Sequence, residues 1–201
     1  MKAASPRPAP TPTVLHEAAL GYLAQRSASV AQLTRSLVRK VDTWARRADR
    51  AGVDADEIAA ERARCRAAID TLIARLKQSG LLNDALYAKQ RAERLTRSGK
   101  SRRAVAFDLR QKGIAESTAR DVTPQDVDTE IGAAIALARK KRMGPFARSI
   151  PDDRAEKSAL EKKWLGAFAR GGFSFGTAQK VLRLDRDAAE ELLHGLVPIG
   201  W

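Results

Sequence analysis

Apolar residues recur at intervals of three and four along most of this chain, and strict apolar–polar alternation is absent. An interval near 3.6 places the recurring side chains on one helical face, whereas a half-buried strand alternates. Cys65, Ile69, Leu72 and Leu76 form one such seam; Leu33 with Leu37 and Ala88 with Ala92 and Leu95 form shorter ones. The pattern predicts helices at 14–26, 30–40, 55–78, 84–97, 102–112, 125–142, 155–170, 175–184 and 186–194. Proline placement agrees, because the eight prolines stand at 6, 8, 10, 12, 124, 145, 151 and 198 and leave 13–123 free of helix breakers. Proline at every second position from 6 to 12 reads as a disordered, extended tail over residues 1–13.

Helix stops and starts fall at a regular spacing. Ser29 with Gln32 has the spacing of a capping box, Asp54 with Glu57 offers a similar start, and Gly113 suits the left-handed residue that closes a helix. Leu23, Ser29, Leu33, Leu37 and Lys40 recur 72 positions later as Leu95, Ser101, Val105, Leu109 and Lys112. A third set, Phe168, Ser174, Ala178 and Leu182, follows 73 positions on. In each set a helix ends, a turn follows, a serine caps, and a second helix buries residues four apart. The expected organisation is a tail over 1–13, a first helical module over 14–53, a central basic module with the long helix over 54–122, and a C-terminal helical module over 123–201.

Charge adds a second layer. Lysine and arginine number 37 against 24 acids among 201 residues, a net +13, which points to an anionic partner. The excess peaks at 81–120, with 10 basic and 4 acidic residues. Lys89, Arg91, Arg94, Arg97, Lys100, Arg102, Arg103, Arg110 and Lys112 crowd there against Glu93 and Asp108. On the helix from Asp84, Arg91, Arg94 and Arg97 advance on an arc away from the Ala88–Ala92–Leu95 face, and the next helix continues the basic surface. Arg91, Arg94, Arg97, Lys100, Arg102, Arg103, Arg110 and Lys112 are therefore the candidate partner- or phosphate-binding face. Tyr87 lies on the arginine side, where its ring either stacks on a partner or packs on a neighbouring helix. An arginine-rich face can also be plain solvated surface; the scarcity of acids favours binding.

Other chemistry is thinly supplied. One cysteine and two distant histidines, His16 and His194, exclude a disulfide framework and a multi-thiolate metal site. The chain lacks Walker, HExxH, CxxC and Gly-x-Ser-x-Gly patterns. Asp54, Asp56, Glu57, Asp152 and Asp153 read as helix N-terminal residues, and Cys65 as a small buried apolar group. No catalytic residue, metal or cofactor is expected. Neither a membrane-spanning run nor a signal peptide is evident, so a cytoplasmic protein is expected.

The run Leu76-Lys77-Gln78-Ser79-Gly80-Leu81-Leu82-Asn83-Asp84-Ala85-Leu86-Tyr87-Ala88 resembles a signature of the RecX family of recombination regulators. The same family's pattern continues through Arg94, Gly99-Lys100-Ser101 and Leu109-Arg110-Gln111-Lys112-Gly113-Ile114. Weaker similarities lie in Arg26–Leu33, with Gln32 where a glutamate is usual, and in Gly172-Phe173-Ser174 with Val181-Leu182. Residues 44–64 look longer than the family's usual connection. The resemblance implies an all-α, elongated array of three tandem three-helix, helix-turn-helix-like modules. It further implies a monomer that binds RecA recombinase, chiefly its filament on single-stranded DNA, and restrains ATP hydrolysis and strand exchange in recombination and DNA repair. The alternatives are a direct DNA-binding helix-turn-helix module and a helical scaffold using the 55–78 helix.

Overall fold

The computed structural model describes residues 8–196, and all regular structure among them is helical. The helices are α1 (Pro12–Gln25), α2 (Val30–Arg50), α3 (Ala55–Gln78), α4 (Asp84–Arg97), α5 (Arg102–Gln111), α6 (Glu116–Val122), α7 (Val127–Lys141), α8 (Arg154–Arg170), α9 (Phe175–Leu182) and α10 (Arg186–Leu196). A single 3-10 turn spans Gly144–Phe146. The chain divides into two compact units, 1–87 with 112–114 and 88–111 with 115–201.

The first unit is built on a helical hairpin. Leu33, Leu37, Val41, Ala45 and Ala48 bury one face of α2, and Ile58, Cys65, Ile69, Leu72, Ile73 and Leu76 bury one face of α3. Ala45 and Ala48 near the end of α2 meet Ile58 near the start of α3, so the two helices run antiparallel. Leu15 and Ala19 of α1 close the core, with Leu15 only 1% exposed. Three expectations change here. The helix expected at 30–40 runs to Arg50, because Val41, Ala45 and Ala48 carry its apolar face through a charged stretch with no breaker. The 44–64 segment is consequently the close of α2, a turn and the opening of α3, tied across by Arg62 and Asp42 at 2.7 Å. The long helix expected in the central module packs instead on α1 and α2, whose apolar seams match its own.

The proline-rich segment also departs from expectation where it is described. Residues 1–7 of the expected tail, like residues 197–201, lie outside the described residues. Thr11 caps α1 by accepting the Val14 N–H, and Pro12 occupies the first helical turn, where a missing N–H costs nothing. Ala9 packs on the core and the Pro10 carbonyl accepts the Cys65 thiol at 3.4 Å. Burial, with Glu61 adding to it, pushes the Cys65 thiol above its ordinary pKa, so it stays protonated and unreactive at neutral pH.

Serine caps organise both units. Ser29 heads α2 in a full capping box with Gln32, donates its hydroxyl to the Lys112 carbonyl at 2.6 Å, and is fully buried. The following N–H, of Val30, donates to Asp84 at 2.8 Å. Within the second unit Ser101 repeats the arrangement: its hydroxyl donates to the Gly171 carbonyl at 2.8 Å, and the Arg102 N–H donates to Glu130 at 2.8 Å. Ser174, the third of the series, caps α9 through the Thr177 N–H and is exposed. Each cap thus satisfies a helix start, and the first two also satisfy a helix end elsewhere in the same unit.

The second unit joins α4 from Ala88 and α5–α6 to a bundle of α7–α10. Ala88, Ala92, Val105, Leu109 and Ala119 are buried along the first group. Phe168 is fully buried within the second, edge-on to Phe173 at a ring separation of 6.0 Å, among Ile135, Ala138, Trp164 and Val181. Gly99 is forced to be glycine, since φ is +84° and a Cβ would stand 2.7 Å from the Leu137 backbone nitrogen. The helix α6 has no counterpart among the expected elements. Asp54 and Asp153 cap α3 and α8, as their positions predicted. Asp126 caps α7, and its hydrogen bonds from Thr129 hold its carboxyl below the usual range.

Candidate polyanion interface

The basic cluster of the sequence falls almost wholly in the second unit, on α4, the 98–101 turn and α5. Arg94, Arg97, Lys100, Arg102, Arg103 and Arg110 are all exposed. None of the six is ion-paired among the described residues. Position explains the exposure: Ala92 and Leu95 turn the apolar side of α4 inward, and Val105 with Leu109 does the same for α5, leaving the arginines on the remaining arc.

Arg91 behaves differently from its neighbours. It forms a fork-to-carboxylate pair with Asp108 of α5, through Nε to Oδ2 and through Nη2 to Oδ1 at 2.9 Å, and its side chain is 17% exposed. It is a clamp between α4 and α5 rather than part of the open face. The pair has an electrostatic consequence, because Asp108 was one of only two acids within the 89–112 cluster. With Asp108 committed to Arg91, Glu93 is the one uncommitted acid within 89–112, and Glu130 of α7 adds a carboxylate at the Arg102 N–H.

Two further expected members change role. Tyr87 is 8% exposed, so its ring packs inside and is not available to stack on a partner. It stands four residues before Arg91, on the inward side of the same helix, which accounts for both findings. Lys112 is half-buried, falls in the first unit, and contributes its carbonyl to Ser29. The exposed aromatic on α5 is Phe107, at 58%. Its position four after Arg103 and three before Arg110 puts all three on one stripe of α5, a spacing readable in the sequence.

Beside this stripe, α5 and α6 enclose a shallow groove of about 240 Å³ with Arg102, Arg103, Arg110 and Arg120 along it and Ala106 and Ala119 at its base. Arg120 pairs with Glu116 one turn away, at 3.4 Å and largely exposed, a weak tie. The start of α5 is already occupied, by the Ser101 hydroxyl on the Ala104 N–H and the Glu130 carboxylate on the Arg102 N–H, so the positive character of the surface comes from its side chains. Such a surface holds anions, phosphate or carboxylate, by several charge-assisted bonds at once. His16 and His194 are both exposed, and no described helix is long and apolar enough to cross a membrane.

The architecture is that of an all-α protein assembled from short helical bundles around capped turns. Comparison with known proteins places it more narrowly. A family model described as the second three-helix domain of RecX matches residues 83–122, the span of α4 to α6. Regulatory protein RecX of Myxococcus xanthus is 42% identical over 174 residues, 86% of each chain. Regulatory protein RecX of Agrobacterium fabrum is 38% identical over 112 residues, 56% of this chain and 57% of its own. A crystal structure of regulatory protein RecX shares the fold with a TM-score of 0.54 at 19% identity, covering 85% of this chain and 70% of that one. The chain belongs to the RecX family of regulatory proteins.

Proposed function

We propose that this protein binds RecA recombinase, principally the filament on single-stranded DNA, and restrains its ATP hydrolysis and strand exchange, so regulating recombination and DNA repair in the cytoplasm as a monomer. Family membership supports the regulatory role. The physical observation that supports the contact is the acid-poor basic face of α4 and α5, where Asp108, one of two acids within 89–112, is committed to Arg91. A nucleoprotein filament offers such a face repeated negative charge, from DNA phosphates and acidic protein surface. Several modest contacts along one polymer then add by avidity. Regulation by this route is occupancy: the bound chain holds the filament in one state without turning over a substrate. Titrating the purified chain into RecA on single-stranded DNA should lower steady-state ATP hydrolysis up to equimolar ratio; unchanged hydrolysis across that range contradicts the reading.

A second reading, direct DNA binding by α5, is favoured by Phe107 lying exposed between Arg103 and Arg110. Arginines at these positions suit phosphates and position a strand without reading bases. Affinity for naked DNA in the absence of RecA separates this reading from the first.

A further inference from the structure

The second unit holds another concavity, at a distance in sequence from the α5–α6 groove. Arg97 at the end of α4, Ala136, Arg139 and Lys140 of α7, and Leu193 and His194 of α10 line a cavity of about 540 Å³. That volume is in the range of small-ligand sites. Thr96 and Thr129 also line it, and the rest of the lining divides by chemistry. The floor is the small-residue side of α7, Gly132, Ala133 and Ala136, which presents methyl groups and backbone and leaves an apolar bed without long side chains. Half-buried Leu193 forms an apolar wall on α10, and the neighbouring His194 ring is tied to its own helix through Nδ1 and the Glu190 carbonyl at 2.7 Å. The rim is cationic: Arg97, Arg139 and Lys140 are exposed, and none is ion-paired among the described residues. No carboxylate lines the cavity among the described residues.

A ligand that matches both halves carries an apolar plane and a negative group a short distance apart. A bare anion satisfies the rim and leaves the floor wet, whereas an aliphatic group covers the floor and leaves three cations unanswered. We propose that this cavity holds one nucleotide, its base against the Gly132–Ala136 floor and its phosphate on Arg97, Arg139 and Lys140. The nucleotide belongs either to a single strand of DNA or to a free mononucleotide, which share this chemistry. The proposal does not depend on RecA, so it is tested without it.

The test compares a fluorescent oligo(dT) strand with an abasic strand of equal length, by anisotropy on the full chain. Wild-type protein should bind oligo(dT) about tenfold more tightly than the abasic strand, the loss of one base face buried on the apolar floor. Ala136→Leu fills the bed and keeps every charge. It should erase the difference while leaving abasic binding unchanged, with helix content by circular dichroism as the folding check. Arg139→Glu with Lys140→Glu, on an exposed surface, should weaken both strands and provides a second variant if Ala136→Leu misfolds. Competition with dTMP and inorganic phosphate identifies the source. Displacement by dTMP alone assigns a free nucleotide, and failure of both competitors with the base preference retained assigns the strand. Equal wild-type affinity for the two strands, a preference that survives Ala136→Leu, affinities for both strands left unchanged by the double charge reversal, or phosphate competing as well as dTMP would overturn the proposal.

Discussion

At Gly113 the backbone φ is +78° and a Cβ would run into the Ala31 methyl; at Gly172 φ is +84° and a Cβ would run into the Ser101 hydroxyl. Gly52, at φ +79°, has open space where its Cβ would be. Replacing each by alanine separates the two costs. Gly52→Ala should lose only the left-handed strain, about 1 kcal/mol. Gly172→Ala adds displacement of the Ser101 hydroxyl from the Gly171 carbonyl and should lose about 3 kcal/mol. Gly113→Ala should resemble the latter because Ala31 sits on a capped helix start. Urea denaturation of the three full-length variants checks the order; equal losses would mean that the glycines serve conformation alone. These glycines were readable as helix ends, but what stands over them was not, since Ala31 is 82 residues from Gly113. The arginines illustrate the same boundary at the site. Arg94, Arg97, Arg102, Arg103 and Arg110 are exposed, as local charge and helical phase predict. Arg91 is not, because its partner Asp108 belongs to the next helix, and Tyr87 turns inward with it.

Among the elements, the serine-headed helices α2, α5 and α9 share a sequence spacing and a local cap but differ in what the cap reaches. Ser29 and Ser101 are fully buried and bond helix-end carbonyls 83 and 70 residues away, whereas Ser174 bonds only within its own turn among the described contacts. Ser101→Ala should therefore cost about 2 kcal/mol, a lost cap plus an unsatisfied carbonyl, and Ser174→Ala about 1 kcal/mol. Chemical denaturation monitored at 222 nm (a generic helix signal) reads both; a larger loss at Ser174 would contradict this division. Helix existence was legible wherever an apolar seam and a cap coincided, as in α2 and α3. Two failures have physical causes. The helix predicted over 30–40 continues to Arg50, because one small apolar residue per turn suffices to keep a face buried against α3. The helix α6 is seven residues long, starts after Ala115 without a side-chain cap, and buries Ala119, so it carries too little periodicity to register. Its position follows from packing on α5.

For the molecule as a whole, long-range electrostatics set the expectation. Six unpaired cations on one region of the second unit, in a chain of net +13, make association with a polyanion strongly salt-dependent. If all six engage phosphates of a single strand, the log–log salt slope should approach about −4. A slope near zero would remove the arginine face from the contact. The assignment of units was the least legible feature, because α3 carries apolar residues that suit either neighbouring bundle. Only the matched seams of α2 and α3, with Arg62 meeting Asp42, decide that it belongs to the first.

In the function proposed, the unpaired cations of α4 and α5 are the surface that would meet a RecA filament. The most direct measurement is binding of the chain to preformed RecA filaments by co-sedimentation, wild type against Arg94→Glu with Arg103→Glu and Arg110→Glu, with circular dichroism on both. Exposed substitutions of this kind leave the fold intact, so binding should fall at least tenfold at unchanged helix content. Filament binding equal to wild type by the folded triple variant would contradict the account.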